Sequence, residues 1–230
     1  GTTDDLAALM AAANARGHLN MPYTNPTWWD DESPSLHGLD PAELAVLSAD
    51  GKPLYECYNV APDAPPCAPE NAARDSAYNG TLPWYRWLHG GYVMSPHASP
   101  VRERVDRLMH EITALPVDLV FQDQIGARPR EFDYNPAAPG LAAYHDGWLA
   151  HTRAHADQRL MTEAGYDRLA ETETGFAGSV LLQHNAWQDP DRWWGEGNWE
   201  IYPLTAFLAR DKALFYQHNL APESFTHNLA

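Results

Sequence analysis

Hydrophobic positions along this chain form helical stripes and short apolar blocks, and several of the blocks stop abruptly at polar side chains. Thr3 to Arg16 opens with Thr and Asp, runs through an Ala/Leu/Met interior and ends before Gly17, which predicts a helix capped at both ends. His18 to Tyr23 follows as a strand candidate that opens into a polar, aromatic loop holding Thr24, Asn25, Trp28 and Trp29. Gly91 to Met94 reads as another strand. Ser99-Pro100 then starts a helix over Val101 to Ala114, with Val101, Val105, Leu108, Met109 and Ile112 on one stripe and Arg, Glu and Asp opposite.

The pattern is sharpest in Leu115 to Arg130. Val117, Leu119, Val120 and Phe121 form an apolar run that breaks off at Gln122-Asp123-Gln124 before Gly126, as a buried parallel strand does on entering a functional loop. Arg159 to Gly165 repeats the plan, with a short strand followed by Glu163 and Gly165. A helix over Gly140 to Asp157 separates the two. Ser179 to His184 is a further strand candidate, and minor strands are possible near residues 54 to 58 and 213 to 217.

Alternating strands and helices predict an α/β protein of the (β/α)8 TIM-barrel type. The five main strands, near residues 18 to 23, 91 to 94, 117 to 122, 159 to 162 and 179 to 183, fall short of eight. The expectation is therefore an incomplete barrel whose first strands lie upstream of Gly1, read as one domain over residues 1–230. Residues 30 to 90, rich in Pro, Asp, Asn and Ala, are expected to form a long loop or small subdomain inserted over the barrel mouth.

Charge narrows the partners. A formal net charge of -16 and a pI near 4.9 disfavour nucleic acid and anionic membrane surfaces, both of which require clustered Lys and Arg. No apolar run is long enough to cross a bilayer. Nine Trp and eleven Tyr, several in Gly/Pro/Asn-rich surroundings, suit the flat apolar faces of sugars. The two cysteines, Cys57 and Cys67, flank a Pro-rich loop and read equally well as a bridge in an exported protein or as two free thiols.

Two acids at the carboxyl ends of two parallel strands face one shared mouth in such a barrel, and paired carboxyls are what cleaves a glycosidic bond. Asp123, shorter and following the more apolar strand, is expected as nucleophile, and Glu163, with the longer reach, as acid/base. Asn20, Tyr23, Asn25, Trp28, His97, Gln124, Arg128, His184 and Trp187 are candidate substrate-binding residues, and Asp133 with its neighbours is a candidate substrate loop. The partner is then a carbohydrate, with no cofactor and no metal. His151 and His155 stand one helical turn apart but lack a third ligand in sequence, so a solvated face is the expectation. A non-catalytic carbohydrate-binding barrel is one alternative. Another is a metal-dependent hydrolase using Asp123, His145 or His184, and Glu163. No Gly-x-Ser-x-Gly elbow and no phosphate-binding glycine loop is present.

The order of Ser-Pro, helix, VDLVFQDQIGARP, helix and LMTEAGYDRL resembles the barrel of a bacterial family of proposed glycoside hydrolases, itself similar to the α-galactosidase and endo-α-N-acetylgalactosaminidase barrels. It covers roughly residues 91 to 220. The resemblance implies an aspartate nucleophile at Asp123, a carboxylic acid/base at Glu163 and retaining action on α-linked sugars. Export to the periplasm, cell surface or medium is the expectation for a polysaccharide-degrading enzyme, with no export signal visible in this segment.

Overall fold

The structure, a computed structural model, describes residues 1–58, 67–69, 89–177 and 211–216. These belong to two compact units: unit 1 comprises Gly1–Thr24, Thr113–Arg128 and Thr152–Ala230, and unit 2 comprises Asn25–Ile112 and Pro129–His151.

Unit 1 is built on a parallel sheet. Its strands are β1 (Tyr23–Thr24), β5 (Val120–Gly126), β6 (Leu160–Ala164), β7 (Glu173–Ala177) and β8 (Leu214–Tyr216), hydrogen-bonded in that order. In unit 2 the strands β2 (Trp28–Asp30), β3 (Tyr55–Tyr58) and β4 (His89–Val93) make an antiparallel sheet in the order β2-β4-β3. Five parallel strands among the described residues suit part of a barrel.

Helix α1 (Thr3–Asn14) begins as its sequence requires. The Thr2 hydroxyl accepts from the Asp5 amide while the Asp5 carboxylate accepts from the Thr2 amide, a reciprocal capping box that satisfies two otherwise orphaned donors. The chain then runs beside β5 well before the ladder starts. The Asn20 carbonyl accepts from the amides of Asp118 and Leu119, and the Pro22 carbonyl accepts from Phe121. Pro22 has no amide to return, so regular pairing is confined to Tyr23 and Thr24 rather than the expected residues 18 to 23.

The strand expected near residues 117 to 122 lies three residues later at its start and runs on to Gly126, which places Asp123 inside the sheet edge instead of in a loop beyond it. Glu163 is likewise the penultimate residue of β6. β7 was not foreseen, because Glu-Thr-Gly reads as a turn; only Phe176 and Ala177 carry an apolar signal, and both are buried. The candidate at Ser179 to His184 lies outside the described residues, whereas the minor one near residues 213 to 217 is present as β8.

Of Gly91 to Met94, expected in the barrel, Gly91 to Val93 belong instead to β4, the middle strand of the antiparallel sheet of unit 2, and Met94 bridges to Ala45. Its partners Trp28 and Tyr55 explain the change. Trp28 pairs with Val93 and lays its ring over Gly91, where a Cβ would lie 2.5 Å from the indole, so only glycine admits that cover. Helix α3 (Ser99–Thr113) follows and buries Val101, Val105 and Met109, while Leu108 stays partly exposed. Residues 30 to 58 of the expected insert carry a 3-10 turn at Pro34–Leu36, α2 (Pro41–Leu44) capped by Asp40, and β3. Cys57 and Cys67 are joined in a disulfide. Helix α4 (Tyr144–Ala154) is shorter than the expected Gly140 to Asp157. No helix of the described residues is long and apolar enough to cross a membrane.

Candidate active site

The register of unit 1 sets up the site. Gln122 pairs with Thr162, so Asp123 and Glu163 are the next residues on two neighbouring parallel strands, and Glu163 in turn lies opposite Ala177. Side chains two apart on a strand share a face, which puts Glu163 on the face of Met161 and Asp123 on that of Phe121, and the pair Phe121 and Met161 are themselves in register. Tyr23 fixes the orientation of Asp123 independently. Its ring stacks on Phe121 with centroids 5.9 Å apart, and its hydroxyl donates to Asp123 Oδ2 at 2.6 Å. Both acids therefore occupy the same face at the carboxyl edge of the sheet, and both are partly accessible.

The backbone is unusual at the same two places. Among the described residues, the only non-glycine residues with positive φ are Gln124 at 64° and Ala164 at 49°, each immediately after one of the acids. L-residues avoid this left-handed region, and where they occupy it the surrounding structure enforces the conformation, often beside a functional group. The enforcement is visible here. Pairing jumps from Gln122–Thr162 to Gly126–Ala164, so β5 bulges outward directly after Gln122. The bulge is pinned by the buried Thr162, whose hydroxyl accepts from the Gly126 amide at 3.0 Å. A Cβ on Gly126 would lie 2.6 Å from the Glu163 carbonyl and 2.8 Å from the Gly165 Cα; glycine is what allows the two acid-bearing strand ends to approach.

Other predicted residues divide by unit. In unit 1, Arg128 is buried and donates from Nη2 to Gln124 Oε1 at 2.7 Å, bringing two of the expected binding residues together next to Asp123. Asn20 does not join them: its side-chain amide donates to the carbonyls of Met10 and Pro116 and to Asn14 Oδ1, tying α1 to the entry of β5. In unit 2, Asn25 Oδ1 accepts from Thr27 and from the Trp28 amide, shaping a turn, and His97 Nε2 lies 2.9 Å from the Ala143 carbonyl. His145 Nε2 is 3.2 Å from the Pro129 carbonyl. His184 and Trp187 lie outside the described residues.

Asp133, expected in a substrate loop, is 1% exposed and serves as an internal tie of unit 2. It accepts from the Ser95 hydroxyl at 2.6 Å, from the Asn135 amide at 2.9 Å and from the Leu47 amide at 3.3 Å. Sequence reasoning also missed Glu173. At the amino end of β7, paired with Leu160 and therefore at the opposite edge of the sheet from Asp123, its carboxyl is buried without a hydrogen-bond partner among the described residues. Burial alone pushes its pKa up to about 8. The signal available was slight: an acid opening a strand whose other members are apolar.

Comparison with solved structures finds chains of similar fold. The α-N-acetylgalactosaminidase NagBb from Bifidobacterium bifidum, in its GalNAc complex, superposes with a TM-score of 0.56 at 12% identity, over 94% of this chain and 30% of that one. TtGalA, an α-galactosidase from Thermus thermophilus bound to p-nitrophenyl α-D-galactopyranoside, gives 0.50 at 15% identity, over 96% of this chain and 48% of that one. The likeness is one of fold. The chain spans less than half the length of either neighbour. No family model matches the sequence, and no curated protein does.

Proposed function

We propose that this chain is the catalytic barrel portion of a retaining glycosidase acting on α-linked sugars of the galactose type, with Asp123 as nucleophile and Glu163 as acid/base. The observation that carries the reading is the placement of both acids on one face of adjacent parallel strands, each followed by a left-handed residue. Neighbouring strands lie ~4.8 Å apart, which favours the ~5–5.5 Å carboxyl separation of retaining enzymes over the wider gap that inversion needs for an intervening water. The sugar type is taken from the two structural neighbours, an α-N-acetylgalactosaminidase and an α-galactosidase.

The proposed chemistry follows from these groups. The Tyr23 hydroxyl donates to Asp123 Oδ2 and so orients the carboxylate that is proposed to attack the anomeric carbon. As Asp123 attacks, Glu163 gives its proton to the departing glycosidic oxygen, leaving a covalent glycosyl ester. Glu163, now a carboxylate, then takes a proton from water, which attacks the anomeric carbon and releases Asp123. Arg128 and Gln124, bonded to each other beside Asp123, are proposed to meet sugar hydroxyls, as are His184 and Trp187. The disulfide between Cys57 and Cys67 supports export to an oxidising compartment.

The test is a panel of aryl α- and β-glycosides given to the wild type, Asp123→Asn and Glu163→Gln. Loss of activity in both variants, with azide restoring turnover of an activated glycoside by Glu163→Ala, is the expected result. Activity untouched in both variants would remove the assignment. Sugar binding without turnover by the wild type would favour a non-catalytic carbohydrate-binding barrel instead.

A further inference from the structure

We propose that unit 2 carries a separate binding site for a sugar ring bearing one anionic group, carboxylate or sulfate ester, in the cleft between α3 and the segment from Asn25 to Ser35. Arg104, Arg107, Leu108 and Glu111 are spaced i, i+3, i+4 and i+7 and so share one face of α3, and all four line the cleft. Trp29 and Ser35 form part of the facing wall. The space measures about 210 Å³. That is below the ~300–1,000 Å³ of sites for drug-sized ligands and suits a single ring.

Charge selects the ligand. The chain has 31 acidic and 15 basic residues, yet neither Arg104 nor Arg107 has an ion pair or hydrogen bond among the described residues, although Glu111 stands one turn from Arg107. Arg104 and Arg107, three residues apart on the cleft-lining face, can meet an external planar or tetrahedral anion, which arginine binds in bidentate fashion, and Glu111 on the same face limits the ligand to one such group. A neutral sugar would leave both cations unanswered. The indole of Trp29, on the opposite side of β2 from the Trp28 ring that covers Gly91, offers the flat apolar surface on which a pyranose stacks, and Ser35 and Glu111 can exchange hydrogen bonds with hydroxyls. The choice of a sugar as the carrier rests on the glycosidase reading; the recognition of an anion does not.

Calorimetric titration at low salt with galacturonate, galactose 6-sulfate, galactose and inorganic sulfate would test the site. The expected result is binding of the two acidic sugars at least tenfold tighter than galactose, with that preference abolished in the double variant Arg104→Gln/Arg107→Gln. Both positions lie on the accessible side of α3, and glutamine keeps helix propensity, so an unchanged melting temperature should accompany the loss. Hydrolysis of neutral p-nitrophenyl α-galactoside should be the same in wild type and double variant. Equal affinity for galactose and galacturonate, or a preference that survives the double substitution, would overturn the proposal. Inorganic sulfate binding as tightly as the acidic sugars would reduce the site to an anion contact and overturn its sugar part. Absence of hydrolysis by the wild type, with acidic-sugar binding intact, would count against the glycosidase reading alone.

Discussion

In unit 2 the carboxylate of Asp133 is closed to solvent and accepts three hydrogen bonds from three separate segments of its own unit. In unit 1 Asp123 lies part-exposed at a strand end and accepts from the exposed Tyr23, and the buried Glu173 carboxyl has no hydrogen-bond partner among the described residues. A carboxylate closed to solvent and tied by three donors holds structure. An acid that stays accessible at a strand end can meet a reacting atom. An acid buried without a hydrogen-bond partner does neither and instead makes its unit sensitive to protons. The difference lies in exposure and surroundings, not in residue type.

The comparison breaks most visibly by exchanging perturbations. Asp123→Asn should lower kcat/KM on an α-galactoside by about 10⁴-fold or more, as loss of a nucleophile does, while thermal unfolding barely moves. If the melting temperature falls instead and activity persists, Asp123 is the structural acid of the two.

Glu173 gives the next effect in size. Below about pH 4.5 its carboxyl is protonated both folded and unfolded, so the charge costs nothing. Between there and about pH 8 the unfolded chain releases a proton that the folded chain keeps, and stability must fall as pH rises. The full swing is on the order of 5 kcal/mol. Melting curves across pH 4.5 to 8.5 should show the decline in the wild type, and Glu173→Gln, neutral throughout, should be flatter by that contribution.

Asp133→Ala should destabilise by about 3–4 kcal/mol, because three donors lose their acceptor in the interior. Denaturant titration reads this directly. The smallest effect is that of Tyr23→Phe: the ring still stacks on Phe121, only the bond to Asp123 disappears, and kcat should drop about tenfold with unchanged stability. A loss as large as that of Asp123→Asn would assign Tyr23 a part in the chemistry itself.

The parallel strands that carry the acids were legible in the sequence because each pairs an apolar block with a sudden polar stop, as in LVFQDQ and LMTEAG. The start of α1 was legible from the Thr and Asp residues there, and its end, expected at Arg16 before Gly17, falls two residues earlier at Asn14. What escaped prediction depends on partners remote in sequence. Gly91 to Met94 has the composition of a barrel strand, and only Trp28 and Tyr55 across the sheet make it antiparallel. Asp133 reads as part of a polar loop and Asn20 as part of a strand opening toward the mouth, until the amides of Leu47 and Asn135 and the carbonyls of Met10 and Pro116 come to meet them. The left-handed residues after Asp123 and Glu163 are a glutamine and an alanine, neither of which advertises positive φ.

Because both cysteines of the chain are consumed in one cross-link, the oxidised protein has no native thiol to compete with an introduced one. A cysteine installed in place of Glu163 would be the sole nucleophilic sulfur, and alkylation with iodoacetate would put a carboxylate back at that strand end on a slightly longer arm. The natural background for chemical reconstruction of the acid is therefore silent, and recovery or failure of turnover after such labelling reads out the reach required of that side chain.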